Sequence, residues 1–391
     1  MLLTRSLEPL CYNQPSIDKT DEQAGTTLHE KDKEEEAMKV LGKTIRQQEM
    51  CCLAIALLLM ALCLNSRAAA QTNPLDSTPS KTDIVPRAEL VKKLGAVRRP
   101  STVRTASLPF PVDKDYPRLY IIPKDKRPRI MNQGSCGACV AFATSATLST
   151  ILYQHPELLK AIGNNTTNNV SPDPMLLFDG AGRKCDEGWD QDSAANFISE
   201  HDIPMFVDSG IAKMTVPSLV IRAGDYGTIN DSTILPAGVT KFDAMRKFIA
   251  TKGALLASFS VFPSFNRYKG GVYQFQKFND QLMEELARIT GNLKPDWKQP
   301  LGWHTVSVIG YFTGGKIKLS EFSAAAGTGP LRIPDVEYDF PAFWVVQNSW
   351  GSSWGIGGLF LIGVDQPELG FDYEMEYMLD PVVTKNGVRL K

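Results

Sequence analysis

A chain of 391 residues is long enough for a two-lobed globular unit with extensions, since domains usually run about 100 to 200 residues. Its 42 Lys and Arg balance 43 Asp and Glu, so no overall basic surface argues for nucleic acid, and none is expected as a partner. Composition by itself leaves an ordinary globular protein.

Residues 1–37 carry the charge run HEKDKEEEA and few large apolar side chains. Such a stretch cannot bury enough surface to offset its ordering entropy and is expected to be an acidic disordered tail. Residues 38–70 follow with Lys39, Lys43 and Arg46, an apolar run from Met50 to Leu64, and Ala68-Ala69-Ala70 before Gln71. That layout predicts a secretory signal peptide cleaved after Ala70. The run is shorter than the roughly 20 residues a membrane helix needs, so an uncleaved signal anchor is the alternative. Membrane contact is then expected only through residues 50–64, and in either case the C-terminal bulk is exported. Residues 71–112 are rich in Pro, Ser, Thr and basic residues. They read as a linker or short proregion with one short helix at RAELVKKLG, too short for a large folded inhibitory segment. Globular patterning is continuous over residues 113–391.

Of the 7 cysteines, only Cys136, Cys139 and Cys185 fall in the exported part. Export favours disulfides, and three cysteines allow one bridge and one leftover thiol. QGSCGACVAF, residues 133–142, contains a C-x-x-C spacing open to three readings: a redox pair, half of a zinc site, or a nucleophile beside a second cysteine. Zinc needs about four N or S ligands; the segment has no second C-x-x-C and no paired histidines, so no metal and no cofactor are expected. A redox pair would follow a strand in a compact βαβ unit, whereas PKDKRPRIMNQGS is charged and irregular. After Cys139, apolar residues recur near helical spacing as far as His155-Pro156. Cys139 is thus predicted at a helix N-terminus, where the macrodipole and free N–H groups favour a thiolate. A half-buried cysteine in a core helix would account for Cys139 alone. Further along, ALLASFSVF, HTVSVIGYF and AFWVVQNSW have the composition of strands.

QGSCGAC, GWHTVSVIGYF and NSWGSSWG in that order resemble the papain family of cysteine peptidases. The likeness spans roughly residues 115–380, with three strong anchors. It implies an α+β, papain-like two-lobed fold. A helical lobe at about 130–235 carries the cysteine, a β-rich lobe at about 236–391 carries histidine and asparagine, and the cleft lies between. It implies a peptide or protein substrate, and a monomer is expected. Carried over, Cys139 is the nucleophile, His304 its partner and general acid, and Asn348 the residue orienting the imidazole. Gln133 is the side-chain donor of the oxyanion hole, and Trp350 covers the Asn–His contact. The resemblance pairs Cys136 with Cys185 in a structural disulfide closing a loop worth roughly 4 kcal/mol in the chain-entropy model. It gives Gly188 a backbone role toward substrate and sets Trp189, with Ala257 and Thr305, around an apolar pocket for the second residue before the cut.

Departures from the family pattern are Glu187 in place of a glycine, Val140 after the nucleophile, Trp303 before His304, and a long 313–340 insertion. Trp303 is expected to narrow the side that holds residues after the cut. The favoured function is an exported cysteine peptidase, secreted, periplasmic or lysosome-like. The alternative from another class is a catalytically silent papain-like module that binds peptides or partner proteins.

Overall fold

The computed structural model describes residues 87–98, 107–163, 170–208, 213–276, 299–318 and 337–391, with isolated positions between 280 and 325. The expected acidic tail at 1–37 and the signal segment with its 50–64 run lie outside the described residues. Among the described residues no helix is long and apolar enough to cross a membrane.

In chain order the elements begin with α1 (Arg87–Lys93), β1 (Leu119–Ile121), α2 (Cys139–Leu152), α3 (Pro156–Ile162), β2 (Val170–Pro172), α4 (Pro174–Gly180) and α5 (Gln191–Glu200). Next come β3 (Ile203–Asp208), β4 (Lys213–Arg222), β5 (Asp225–Ile229), α6 (Lys241–Thr251), β6 (Leu255–Val261) and β7 (Val272–Tyr273). The C-terminal part supplies β8 (Gly302–Phe312), β9 (Gly315–Lys318), β10 (Glu337–Phe340), β11 (Phe343–Gln347), β12 (Leu359–Gly363), β13 (Met375–Leu379), β14 (Val382–Lys385) and β15 (Val388–Arg389). The mixture is the α+β class that the family resemblance implies.

Two apolar cores form because two sheets each bury one face. An 8-stranded sheet runs β5-β13-β6-β8-β11-β12-β7, with β1 on β8. Its core gathers Leu255, Ala257, Phe259, Val306, Val308, Val345 and Phe360, together with Phe248 and Ile249 of α6. The second core holds the start of α2 against Leu177, Phe178, Trp189, Ala194 and Ile198, and against a 5-stranded sheet ordered β15-β14-β4-β3-β2. The lobe expected to be helical therefore also contains a sheet. Its β14 and β15 come from the extreme C-terminus, which crosses back after β13 because Val383 is buried in this core.

α2 lies between the lobes, and every one of its residues is buried. A helix covered on all sides cannot follow one apolar stripe, and its polar positions bond locally or to neighbours. Ser149 Oγ donates to Ser145 O at 2.7 Å, and Thr147 Oγ1 donates to Ser307 Oγ of β8 at 2.9 Å. α3 begins where the helical pattern stops, with Pro156 in its first turn, a position that needs no N–H. Within the 313–340 insertion, β9 and β10 pair as an antiparallel ribbon, Tyr338 opposite Ile317.

Candidate active site

Cys139 opens α2, is 0 % exposed, and is free. The first turn has no acidic residue and no side-chain cap, so its N–H groups are available to a developing negative charge at the sulfur. Cys136 and Cys185 form a disulfide with S–S 2.02 Å. The Gly137 N–H donates to Cys185 O at 3.0 Å and ties that loop to the start of the helix.

His304 lies near the start of β8, opposite Phe259 of β6, and is 0 % exposed. Its ring centroid is 4.8 Å from that of Trp350 and 5.9 Å from that of Phe259. Asn348 follows β11, and its Oδ1 accepts the Ser349 N–H at 2.8 Å. The same oxygen is 2.8 Å from His304 Nε2. An oxygen already accepting one N–H calls for a donor at its second contact, so Nε2 carries the imidazole proton. Nδ1 is left as the basic nitrogen, buried and without a hydrogen-bond partner among the described residues. Trp350, expected as a cover, stacks over this ring and is itself held by Phe265 and Trp354 at 5.8 and 5.0 Å.

Gln133 is gripped from several directions. Its N–H donates to Ser349 O at 2.9 Å, its Oε1 accepts the Ser349 hydroxyl, and its Nε2 donates to Cys136 O at 2.8 Å. The remaining amide proton reaches Lys93 O at 2.9 Å. That carbonyl belongs to a segment that fills the cleft. Leu90 of α1 is buried in the core of the large sheet, and the chain after α1 runs extended between the lobes. The Trp189 N–H donates to Gly95 O at 2.7 Å, the Val97 N–H to Trp189 O at 2.8 Å, and the Ala96 N–H to Trp303 O at 3.2 Å. Ala96 pairs in parallel with Trp189 and antiparallel with Trp303.

Gly95 is where the segment comes nearest to the start of α2. A Cβ there would lie 1.7 Å from Gly137 O, and one on Gly188, at φ +68°, would lie 2.4 Å from Gly95 O. Only glycine lets the two backbones meet. Burial pushes the Cys139 thiol up, against smaller opposing effects from the backbone at Thr305, Gly95 and Val140. Burial likewise pushes His304 down to about 4, opposed by the Asn348 contact, with the Lys93 charge adding to the fall. With the segment seated, burial disfavours the charged form of both groups.

The pocket residues expected from sequence separate. Thr305 pairs with Ser258 across β6 and β8, and Ala257 with Val306. Strand alternation thus puts Ala257 on the opposite face from Thr305, in the apolar core. Thr305 Oγ1 lies 2.7 Å from Ser258 Oγ, which donates to Gln191 Oε1 at 2.7 Å, so that face is polar. Trp189 meets the segment through its backbone, while its ring packs on Phe178 and Phe197 at 6.4 and 6.0 Å. Trp303 turns its indole toward Arg98, on the flank where residues 96–98 lie. Sequence reasoning passed over Ser349, Ser258 and Gln191; it read residues 71–112 as a linker or short proregion with a helix at RAELVKKLG and did not place residues 93–98 in the cleft. Among the described residues no group of three or more His, Cys, Asp and Glu could hold a metal ion.

Comparison with known proteins identifies the family. The profile of the papain family of cysteine proteases matches residues 123–379. A cathepsin B-like protein, CP3, of Giardia intestinalis is 24 % identical over 306 residues, 74 % of this chain and 83 % of that protein. Cathepsin B of Dictyostelium discoideum is 25 % identical over 252 residues, 60 % of this chain and 64 % of that one. The solved structure of procathepsin B S9 from Trypanosoma congolense superposes with TM-score 0.49 at 15 % identity, covering 75 % of this chain and 89 % of that chain. The chain belongs to the papain family of cysteine proteases. It is a cysteine peptidase.

Proposed function

We propose that the chain hydrolyses peptide bonds through a thioester on Cys139, and that residues 87–98 keep it closed until they are displaced. The observation that carries this is a peptide already lying in the cleft: the chain's own segment, bonded through its backbone on both flanks, with the Lys93 carbonyl on Gln133 Nε2. A cleft that binds extended backbone and offers an amide donor to a carbonyl oxygen suits acyl transfer.

Once the segment leaves, water and substrate reach the pair and the burial that disfavours charge on both groups is relieved. The Cys139 proton passes to His304 Nδ1, and the thiolate attacks the scissile carbonyl. The resulting oxyanion is held by Gln133 Nε2 and by the Cys139 backbone N–H. His304 then gives its proton to the leaving amine as the C–N bond breaks. Water, deprotonated by His304, next cleaves the thioester and restores the thiol. Asn348 keeps Nε2 protonated, so that Nδ1 serves as the base throughout. The Cys136–Cys185 bridge supports an oxidising compartment, in line with export.

The test is processing followed by labelling. After displacement of residues 87–98, a thiol-directed epoxide labels the protein once, at Cys139, and Cys139→Ala abolishes hydrolysis of a peptide library. An opened protein that takes up the epoxide at Cys139 yet cleaves no peptide overturns the enzyme reading and leaves a silent peptide-binding module.

A further inference from the structure

Arg98, at the far end of the cleft segment, occupies a seat that neither the catalytic groups nor the backbone ladder requires. Its guanidinium carbon lies 4.8 Å from the ring centroid of Trp303 and 5.1 Å from that of Tyr373. Gly370 forms the floor at φ +62°; a Cβ there would lie 2.9 Å from Arg98 Nη1 and 3.4 Å from Trp303 Cη2. Tyr373 is anchored from behind by Lys241, whose Nζ donates to Tyr373 O at 3.3 Å, lies 5.4 Å from the same ring and pairs with Asp231 at 2.8 Å. Among the described residues no carboxylate pairs with Arg98. The seat therefore holds a cation by aromatic faces, whose negative quadrupoles attract a guanidinium without the dehydration an ion pair demands.

The location ties the seat to the peptide track. Trp303 contributes its carbonyl to the ladder, accepting the Ala96 N–H, while its indole forms one wall of the seat. Gly95 lies against the nucleophile and Arg98 is three residues further along. When the segment departs, Trp303 loses its covering guanidinium, and Tyr373 is already 51 % exposed. We propose that Trp303 and Tyr373 form a cation clamp that selects substrates with arginine or lysine two or three residues before the cut, Arg98 being its resident occupant in the closed protein. The proposal rests on the peptidase reading above and replaces the apolar preference expected from sequence with a basic one.

Two measurements decide it. In the first, the full chain is matured and assayed on peptides in which arginine, its uncharged planar analogue citrulline, or norleucine scans the three positions before the cut, with rates divided by epoxide-titrated active sites. Arginine is expected to exceed citrulline about two- to fivefold in kcat/KM at one of these positions, the scale of a solvent-exposed cation–aromatic contact. The arginine-to-citrulline ratio falls toward one in Tyr373→Leu and persists in Tyr373→Phe. The second needs no turnover and reads iodoacetamide labelling of Cys139 in the unprocessed full chain. Arg98→Gln and Tyr373→Leu are each expected to open the segment and speed labelling about two- to fivefold, and the double variant to gain no more than either alone, because both remove one contact. Arg98→Lys stays slow. An absent arginine preference, a preference that survives Tyr373→Leu, or additive effects in the double variant each overturn the clamp. Cleavage without a basic preference leaves the peptidase reading standing, whereas loss of all cleavage sinks that reading while the labelling cycle still decides the clamp.

Discussion

Gln133, proposed as the oxyanion donor, is held in place before any substrate arrives. Ser349, next to the histidine's partner Asn348, bonds both ends of the Gln133 residue, backbone N–H and side-chain oxygen. The direction of the amide is thereby decided, and its Nε2 faces the carbonyl in the cleft. Gln133→Ala is expected to lower kcat by about 10² to 10³, the usual effect of losing one oxyanion donor. Ser349→Ala leaves the donor present but free to turn, and about a tenfold loss of kcat with little change in KM is expected, since a misplaced donor harms the transition state more than the bound substrate. Steady-state kinetics on the matured chain reads both, and equal losses in the two variants would show that Ser349 does more than orient Gln133.

At the scale of an element, the decisive piece is α1 with its extended continuation. Leu90 anchors the helix in the large core, and the backbone of residues 95–97 then supplies bonds to both lobes. No side chain at position 95 fits, because the obstacle is the Gly137 backbone at the start of α2 and cannot rotate away. Gly95→Ala is therefore expected to lift the segment and speed thiol labelling of Cys139 about 10- to 100-fold, in keeping with the cost of forcing one carbon into a full space. Unchanged labelling would mean that the closed arrangement does not govern access to the thiol. The loop on the other side of α2 depends on the disulfide: Cys136→Ala is expected to cost up to about 4 kcal/mol of stability by chain entropy. Activity per folded molecule at low temperature persists, which thermal melts and cold assays together establish.

Across the whole molecule, the lobes meet through a polar layer. Thr305, Ser258 and Gln191 form a chain of hydrogen bonds from β8 to α5, and Thr147 of α2 bonds Ser307 alongside. Glu376 of β13, opposite Leu256 of β6, is 0 % exposed and neither oxygen makes a well-formed hydrogen bond. Burial pushes its carboxyl well above the usual carboxylate range; Asp192 and Glu374 nearby add to the rise, and Gln191 opposes it. A carboxyl that holds its proton more tightly folded than unfolded stabilises the fold fully below the ordinary value near 4.5. That contribution is lost as pH rises toward the folded value. Melting temperature is thus expected to fall on going from acid toward neutral pH, and Glu376→Gln to flatten that fall. A Glu376→Gln profile parallel to the parent's would assign the pH dependence to other groups.

The family and the residues of the proposed chemistry were legible in the amino-acid sequence because they sit in short, contiguous motifs. QGSCGAC, the histidine strand and NSWG carry Cys139, His304, Asn348 and Gln133 within a few residues of their structural supports, and the helix after Cys139 and strands β6, β8 and β11 follow from local patterning. Legibility ended where contacts are long-range. Ala257 and Ser258 are neighbours in sequence, and only the register of β6 on β8 decides which of them shares a face with Thr305. The apolar spacing after Cys139 announced a helix, but that both lobes pack on it and bury every side could not be read from that spacing. The return of β14 and β15 to the smaller sheet depends on packing after β13, not on anything in those strands. Nor could composition tell that a short basic stretch around Gly95 fills the cleft, since its fit is set by the Gly137 backbone and by Trp303 and Tyr373. These lie far apart in the chain and are brought together only by the tertiary fold.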